Sequence, residues 1–386
     1  MSKHAALGGP LATKTTVIAA VLALAMAALL GYRFIHGLGA VANINNGYPW
    51  GIWVAYDIVI GTAFACGGYA MALLVYILNK GKYHPLVRPA LLASMFGYSL
   101  GGFSVLFDLG RWWNFWHILT PGYANPNSVM FEVALCVTCY CLVLWIEFTP
   151  AFAEKWGSAE TKRKLNKVLF VFIALGVLLP TMHQSSLGTM LVVFGTTVHP
   201  LWQTTLLPLL FLISAISMGF AIVIFEATLV TNVYDRPSEA RILGYVTRYI
   251  VVLMSAYLVL RWGDIIVEGK LDKVFSSGGL SFMFLLETAL FALPIMLLAP
   301  KANRVKPQLQ FIAAVAMLLG GSLYRIDAFL VAYHRAGWHY FPSVGELTVT
   351  LGIIGVEVLG YIVFVKKLPV LHPVERALPA AATTAE

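Results

Sequence analysis

The chain has 386 residues, of which 59% are hydrophobic and 11% charged, and its mean hydropathy is +0.80. A soluble domain carries about 25% charged residues, so lipid is predicted to be the solvent for much of this chain. The net charge of +8 does not indicate nucleic-acid binding, because the basic residues lie between long apolar runs, a placement typical of membrane orientation. The four cysteines all lie within apolar runs, so a disulfide framework is not expected.

Apolar runs long enough to cross a bilayer recur along the chain, and a span needs roughly 20 mostly apolar residues. The first run follows Lys3 and Lys14 and could be a secretory signal, but its length favours an uncleaved anchor. No gap between runs accommodates a soluble domain, so we expect a single all-α integral membrane domain over 1–386. About ten helices are predicted, at 15–32, 52–79, 87–108, 128–148, 166–182, 205–231, 244–262, 280–299, 308–331 and 346–365.

The basic residues alternate between the two sides of the predicted membrane. With the N-terminus in the cytoplasm, 19 of the 26 Lys and Arg residues fall in cytoplasmic segments and 7 on the opposite, outer side. Because cytoplasmic loops of membrane proteins are enriched in Lys and Arg, this bias predicts that both termini are cytoplasmic. If a helix had been missed, the basic residues of the later loops would fall on the wrong side and the alternation would be lost.

Polar residues from four consecutive predicted helices fall at one depth, just inside the outer face. Ionisable groups at membrane depth are costly and are functional candidates by default. Simpler interpretations remain open: Asp108 and Arg111 could form an i,i+3 ion pair, His183 could be an idle interfacial histidine, and the aromatic residues could form an ordinary interfacial belt. The polar residues are Asp57, Asp108, Arg111, Glu132, His183 and Gln184, and the aromatic residues at the same level are Tyr48, Trp50, Trp53, Trp112, Trp113, Trp116 and Tyr123.

Glu226 lies deep in the sixth predicted helix, toward its cytoplasmic half. A lone carboxyl there is either a station in proton transfer or a partner in an interhelical hydrogen bond, and the sequence favours neither. Arg325 and Asp327 are expected to satisfy a neighbour within the second half of the chain. Small residues predict close helix approach, at Gly61, Ala65 and Gly68 of the second helix and at Gly97 and Gly101 of the third.

Several redox motifs are not found in the sequence. All nine histidines are expected in loops or at helix ends, whereas a transmembrane b-type haem needs axial ligands inside the bundle. Cys136, Cys139 and Cys141 lie in an apolar helix, whereas iron–sulfur ligation favours loops that wrap a cluster. We therefore expect no haem, no iron–sulfur cluster and no metal site in this chain. Electrons would come from a partner protein at the outer surface.

Several segments resemble a known family. The chain is similar to the Hyb-type membrane subunit of periplasm-facing nickel–iron hydrogenases, within the NrfD/polysulfide-reductase membrane-subunit family. The resemblance covers about residues 37–370, and its departures lie in the loop around 233–245 and in the tail after 370. The segments are "NGYPWGIWVAYDIVIGTAFACGGYA", "YHPLVRPALLASMFGYSLGG", "LNKV", "LLPTMHQSSLG", "VHPLWQ" and "MGFAIVIFE".

The resemblance implies a fold and an assembly. The fold would be two four-helix bundles, formed by helices 2–5 within 37–200 and helices 6–9 within 201–340. Helices 1 and 10 would be peripheral, with the last helix and a cytoplasmic tail in 341–386. It further implies a haem-free subunit of the bacterial inner membrane that works with a periplasmic four-cluster iron–sulfur protein and the hydrogenase large and small subunits. Electrons would pass between that partner and an exchangeable menaquinone or ubiquinone.

The expected quinone site lies at the outer ends of helices 2–5. Quinone reduction takes two electrons and two protons, and a carboxyl or imidazole group can deliver the protons. Arg111 could stabilise negative charge on the reduced quinone. The proton-transfer candidates are Asp57, Glu132 and Glu226, the last two matching the family's acidic positions, with Glu226 on the uptake side. The quinone-binding candidates are Trp50, Trp53, Tyr56, Asp57, Asp108, Arg111, Trp112, His183 and Gln184, of which Trp53 and Tyr56 rest on a distant branch of the family.

Two other classes of function fit parts of the pattern. A secondary transporter also has buried carboxyls, but transporters often show matched broken helices at mid-membrane, and no such pair is visible here. A passive anchor would only tether an external enzyme, and point substitutions in it would not affect quinone reactivity selectively.

Overall fold

The computed structural model describes residues 6–372, in which ten helices are long and apolar enough to cross a membrane. This confirms the all-α prediction. Lys3 and Arg376, which entered the charge count, and the Ala/Thr-rich tail lie outside the described residues. The spanning helices are α1 (Lys14–His36), α2 (Trp53–Ile77), α3 (Gly81–Asp108), α4 (Val129–Trp156), α5 (Ala159–Phe194), α6 (Leu207–Val233), α7 (Ala240–Val267), α8 (Gly279–Leu298), α9 (Pro307–Val331) and α10 (Val344–Lys367).

The helices pack as two rings of four. Helices α2, α3, α4 and α5 contact one another in sequence, and α5 closes the first ring against α2. Helices α6 to α9 form a second ring in the same way, closed by α9 against α6. The rings meet where α6 packs against α2 and α5, while α1 pairs with α10 outside them. The pairing agrees with the two-bundle fold that the resemblance implies.

Because the helices alternate in direction, the connecting segments lie at two ends of the molecule. We call one end the Asp108 face, which carries 37–52, 109–128, 195–206, 268–278 and 332–343. The other is the Lys80 face, which carries 78–80, 157–158, 234–239, 299–306 and 368–372. The N-terminal segment belongs to the Lys80 face, because the amides of Leu7 and Gly8 donate to the carbonyls of Val365 and Lys366 at the end of α10.

Helix α2 is irregular along most of its length. It begins as a π-helix over Trp53–Ile60 and ends as a second π-helix over Leu73–Ile77, with short α-helical turns between them. Helix α9 also ends in a π-helix, Asp327–Val331. Single π-helical turns are rare and are frequent at functional sites, so the first turns of α2 stand out.

Small residues bring α2 and α3 into close contact, as the sequence predicts. A Cβ atom added at Gly101 would lie 2.6 Å from the carbonyl oxygen of Asp57, and one at Gly97 would lie 2.7 Å from the Cβ of Ala65. At Gly68 an added Cβ would lie 2.9 Å from Ser94 Oγ. Because no side chain fits at these positions, the backbones of the two helices pack directly against each other.

The predicted end of the fifth helix is wrong. Helix α5 continues to Phe194, so His183 lies roughly 11 residues, or about 16 Å, before its end and not at the outer interface. The polar run does not end the helix, because Ser185 and Ser186 donate hydrogen bonds to the carbonyls of Thr181 and Met182 one turn earlier. The expectation that no histidine lies inside a span is wrong for the same reason.

Candidate functional site

Asp57 lies in the π-helical start of α2, about 6 Å from the first residue of the helix at 1.5 Å per residue. Its side chain is 3% exposed, and neither carboxyl oxygen has a hydrogen-bond partner. A buried polar group left without a partner costs roughly 1–3 kcal/mol, and such a group in a folded protein calls for an explanation such as a ligand or catalytic role. Asp57 is therefore the centre of the candidate site.

Asp108, at the end of α3, lies close enough to Asp57 for the two carboxyls to interact electrostatically. It accepts a hydrogen bond from the backbone amide of Gly51, and its Oδ1 atom is buried without a partner. The predicted convergence of these two acidic residues is therefore found, at the start of α2.

The basic residue beside this pair is Arg33, for which the sequence suggested no role. Arg33 is 1% exposed, and its Nε donates to the carbonyl of Phe107 at 2.9 Å. Nη2 of Arg33 donates to the carbonyl of Leu109, and the positive charge of Arg33 interacts with Asp108. Arg111 instead lies exposed in the following loop, and the i,i+3 ion pair with Asp108 does not form. A lone arginine inside an apolar run was the signal that could have identified Arg33.

The predicted aromatic residues lie in different environments. Trp53 is fully buried and donates from Nε1 to the carbonyl of Glu346 at 2.9 Å, while Trp50 donates to the carbonyl of Phe329 on α9 at 2.8 Å. Tyr56 interacts electrostatically with Asp57. Trp112 is 39% exposed and lies edge-on to the Phe34 ring. Tyr56 therefore adjoins Asp57, Trp53 precedes it by four residues on α2, and Trp112 lies at the surface.

A second group of polar residues, the central polar cluster, joins the two bundles at mid-membrane. His183 Nε2 and Gln184 Nε2 each lie 3.1 Å from Thr62 Oγ1 on α2. Arg325 on α9 donates from Nη2 to Gln184 Oε1 at 3.1 Å, and Ser214 Oγ lies 3.4 Å from the same nitrogen. These five residues are almost fully buried, and His183 Nδ1 has no partner.

This cluster corrects one expectation and adds a connection. Arg325 was expected to satisfy a neighbour within the second half of the chain, but it bonds Gln184 of the first bundle as well as Ser214. Both carboxyl oxygens of Asp327 are buried and without a partner. The contact between α5 and α9 was invisible in the sequence because it joins residues 141 positions apart.

The central polar cluster adjoins Asp57 along α2. Thr62 follows Asp57 by about 7 Å of helix axis, and an added Cβ at Gly101 would lie 2.6 Å from the carbonyl oxygen of Asp57 and 3.8 Å from Thr62 Cγ2. Asp57 and Thr62, the partner of His183 and Gln184, therefore both adjoin Gly101 on α3. Glu132 lies half-buried in the first turn of α4, where its charge interacts with Cys136 of the same helix.

Glu226 lines a pocket at the Lys80 face whose volume is about 30 Å³, enough to hold at least one water molecule. The pocket lies between α3, α6, α10 and the 234–239 loop. Burial raises the pKa of Glu239 at its rim, while the nearby charges of Arg236 and His372 act in the opposite direction. The other lining residues are Pro85, Leu86, Pro89, Ala90, Val223, Ala227, Val230, Thr231, Tyr361 and Leu371.

The second bundle contains a buried carboxyl of a different kind. Glu287 on α8 accepts a hydrogen bond from Trp202 Nε1 at 2.9 Å, and Tyr257 Oη lies 3.4 Å from its other oxygen. The charge of Arg261 also acts on Glu287. Because each oxygen has a donor, this group is satisfied inside the bundle.

Comparison with known proteins places this polytopic helical subunit, with its buried acidic site, in a family. The family described as "Polysulphide reductase, NrfD" matches residues 40–333, and the chain belongs to it. It is 44% identical, over 96% of its length and 95% of the relative's, to the "Probable Ni/Fe-hydrogenase 2 b-type cytochrome subunit" of Escherichia coli strain K12.

A more distant relative is named as the integral membrane subunit of a reductase. The chain is 27% identical to the "Menaquinone reductase, integral membrane subunit" of Nitratidesulfovibrio vulgaris, over 76% of this chain and 75% of the relative. The chain is thus a multi-pass membrane protein, and these two relatives belong to oxidoreductase complexes.

The expectation that the chain is haem-free is contradicted by the name of the Escherichia coli relative, because a b-type cytochrome contains haem. A six-coordinate b-type haem usually has two facing histidines. His183 is buried in the middle of α5, and its ring interacts with Thr62, Gln184, Tyr98 and Arg325, none of which is a histidine. The residues around His183 therefore do not fit a haem held by two facing histidines.

Proposed function

We propose that this chain is the quinone-reactive membrane subunit of a nickel–iron hydrogenase complex. Two comparisons support the proposal: the 44% identity to a hydrogenase 2 membrane subunit and the more distant likeness to a menaquinone reductase membrane subunit. The observation on which it depends most is Asp57, a carboxyl that is 3% exposed and has no hydrogen-bond partner, in a π-helical segment near the Asp108 face.

The proposed orientation places the Asp108 face in the periplasm and both termini in the cytoplasm of a bacterial inner membrane. It is supported by the excess of Lys and Arg in the segments of the Lys80 face, as expected for cytoplasmic loops. The Asp108 face then meets the proposed partners, which are a periplasmic four-cluster iron–sulfur protein and the hydrogenase large and small subunits.

The proposed reaction transfers two electrons from hydrogen to a quinone. Oxidation of one hydrogen molecule in the large subunit releases two electrons and two protons, and the quinone takes up two electrons and two protons to become a quinol. Menaquinone or ubiquinone would bind beside Trp53, Tyr56, Asp57 and Asp108. The carboxyl of Asp57 would donate a proton to a quinone oxygen, because general acids act on groups within hydrogen-bonding reach.

Two residues near Asp57, Arg33 and His183, would assist the reaction of the bound quinone. Arg33 supplies a fixed positive charge next to Asp108, and such charge stabilises negative charge on the reacting oxygen where water is excluded. In this proposal Arg33 takes the role first expected of Arg111. His183 would act from the central polar cluster through its unpartnered Nδ1, either on a quinone oxygen or on a water between them.

Proton supply would come from the Lys80 face. Glu226 lines the pocket there and would take up protons, so that hydrogen oxidation outside and proton uptake inside would together transfer charge across the membrane. Glu132 remains a candidate for proton transfer on α4. Its charge interacts with Cys136 on the same helix, and we propose for it a path separate from Asp57.

The Asp57→Asn substitution in the whole complex tests the proposal. Asparagine keeps the shape of the side chain but cannot supply a proton, and general acid catalysis contributes about 10²–10⁴-fold. We expect quinone-linked hydrogen oxidation in membrane vesicles to fall at least about 100-fold, while hydrogen oxidation with an artificial dye stays near the wild-type rate.

Glu268→Gln is the matched control, because Glu268 is an exposed carboxylate at the same face. It should leave both activities unchanged. Equal quinone-linked rates in Asp57→Asn and wild type would remove Asp57 from the reaction. Normal quinone reactivity after every substitution at the site would favour a passive anchor, and solute flux through liposomes that contain this chain alone would favour a transporter.

A further inference from the structure

The pocket at the Lys80 face contains a residue of α10 that the function proposed above does not use. Tyr361 lines the pocket together with Glu226. Its hydroxyl oxygen is buried and has no hydrogen-bond partner, although a buried hydroxyl normally has one. The Tyr361 hydroxyl is therefore free to bond a water or a proton-carrying group in the pocket.

Glu357 lies one helical turn from Tyr361, toward the middle of the membrane. Residues four apart on a helix lie on the same face, one above the other, so Glu357 extends the line that begins at the pocket. The charges of Glu226 and Glu357 interact. Helix α10 therefore presents a hydroxyl and then a carboxyl along one face that leads inward from the pocket.

The carboxyl of Glu357 also reaches the first bundle. A Cβ atom added at Gly97 on α3 would lie 3.5 Å from Glu357 Oε1 and 2.7 Å from the Cβ of Ala65 on α2, so the carboxyl lies where these helices meet. Tyr56 interacts electrostatically with both Glu357 and Asp57. Glu357 thus has an acidic neighbour on the side of the pocket and a tyrosine on the side of Asp57.

The depths of the three carboxyls, measured along their helices, give the same order from the pocket to Asp57. At 1.5 Å per residue, Glu226 lies about 10 Å from the end of α6 at the Lys80 face, and Glu357 lies about 15 Å from the end of α10. Asp57 lies about 6 Å from the start of α2 at the Asp108 face and about 30 Å from its end, Ile77, at the Lys80 face. In depth, Glu357 therefore lies between Glu226 and Asp57.

We infer that Glu357 is the mid-membrane proton-transfer residue between the pocket at the Lys80 face and Asp57, with Tyr361 bridging it to the pocket. Glu357 gives its proton toward Tyr56 and Asp57 and regains one from Glu226, so each quinone reduced draws two protons through it in succession. This inference rests on the proposed function, because it needs a proton-consuming reaction at Asp57.

The test uses the whole complex in sealed vesicles with a pH indicator on the side of the Lys80 face. The variants are Glu357→Gln, Glu357→Asp and Tyr361→Phe. The control is Thr348→Val on α10, because the Thr348 hydroxyl bonds the carbonyl of Val344 in its own helix. Each is assayed for dye-linked hydrogen oxidation, quinone-linked hydrogen oxidation, proton uptake and the solvent deuterium isotope effect.

We expect Glu357→Gln to lower quinone-linked turnover and proton uptake together by about 10-fold or more, with an unchanged KM for quinone and normal dye-linked activity. Glu357→Asp, which can still be protonated, should restore part of the rate with a larger isotope effect. Tyr361→Phe should lower proton uptake less. If Glu357→Gln does not assemble, the Glu357→Asp and Tyr361→Phe variants give the answer.

The outcomes separate this inference from the proposed function. If the wild type reduces quinone with proton uptake at the Lys80 face, while the Glu357 and Tyr361 variants match Thr348→Val, the inference is wrong and the proposed function stands. If quinone-linked turnover is absent in the wild type, or is insensitive to Asp57→Asn, the proposed function itself fails. A rate loss without a change in isotope effect or in proton uptake indicates a packing role for Glu357.

Discussion

Asp57 in the first bundle and Glu287 in the second are both carboxyls buried in membrane-spanning helices, yet their surroundings differ. Both oxygens of Glu287 face donors, Trp202 and Tyr257, whereas neither oxygen of Asp57 has a hydrogen-bond partner. A buried polar group stabilises a fold when it is satisfied and costs free energy when it is not. Glu287 therefore serves the structure of the second bundle, whereas Asp57, like Asp327 on α9, is retained at a cost in free energy.

Alanine substitution at the two positions tests this contrast most strongly. Glu287→Ala should lower the free energy of unfolding by about 3–5 kcal/mol, because it leaves the buried Arg261 and Trp202 without their acidic neighbour. Asp57→Ala loses no protein hydrogen bond and removes the unpartnered carboxyl, whose burial costs roughly 1–3 kcal/mol, so stability should stay level or rise slightly. Thermal unfolding of the purified complex in detergent would show a large drop in apparent Tm for Glu287→Ala and a small change for Asp57→Ala. Comparable losses of stability in both variants would break the comparison.

The interface between the bundles offers a smaller expected effect. An added Cβ at Gly219 on α6 would lie 2.4 Å from the carbonyl oxygen of Cys66 and 3.0 Å from the Cβ of Ala70 on α2. Gly219→Val should therefore cost about 1–3 kcal/mol through overpacking and shift α6 relative to α2. The control is Gly263→Ala on α7, where nothing lies within 4 Å of an added Cβ. Apparent Tm values measure both, and equal stability of the two variants would mean that the bundles are not tightly joined here.

The smallest expected effect concerns pH and His199, in the loop that follows α5. Burial lowers the pKa of His199, and Lys273 and His334 lower it further. Its neutral Nδ1 accepts the amide of Leu201 at 3.3 Å. Because the folded pKa lies below the unfolded value of about 6.5, the unfolded chain binds more protons as pH falls. The contribution of His199 to stability is therefore full above that unfolded pKa and is lost as the pH falls through the folded one.

The measurement is the apparent Tm of wild type and His199→Gln at pH values between about 5 and 8, a range that spans the unfolded pKa of histidine. The wild type should lose more stability on acidification than the variant. Parallel curves would show that His199 does not titrate differently in the folded and unfolded states.

The spans could be predicted from the sequence because each depends on a local property, the apolar length of a single run. The close approach of α2 and α3 was likewise readable from Gly97 and Gly101. The end of α5 was misplaced because hydropathy treats Ser185 and Ser186 as polar, although their hydroxyls are satisfied within the helix.

The site was only partly predictable because its partners come from distant parts of the chain. Asp57 and Asp108 were found from their depth, but Arg33 belongs to a helix that was treated as peripheral. Arg325 meets Gln184 across 141 positions, and Glu357 meets the first bundle from the last span. One-dimensional patterns specify how deep a residue lies, but they do not specify which helices are neighbours.

The pairing of α1 with α10 has a consequence for biosynthesis. Within the described residues 6–372, nine spans precede α10 along the chain, so they are synthesised before Glu357 and Tyr361, and α1 can pair with α10 only after α10 is made. A chain interrupted before residue 344 would retain Asp57 but lack the inferred route that feeds it. Synthesis of α10 would thus complete the inferred proton path, and a protein truncated before α10 would not support coupled turnover.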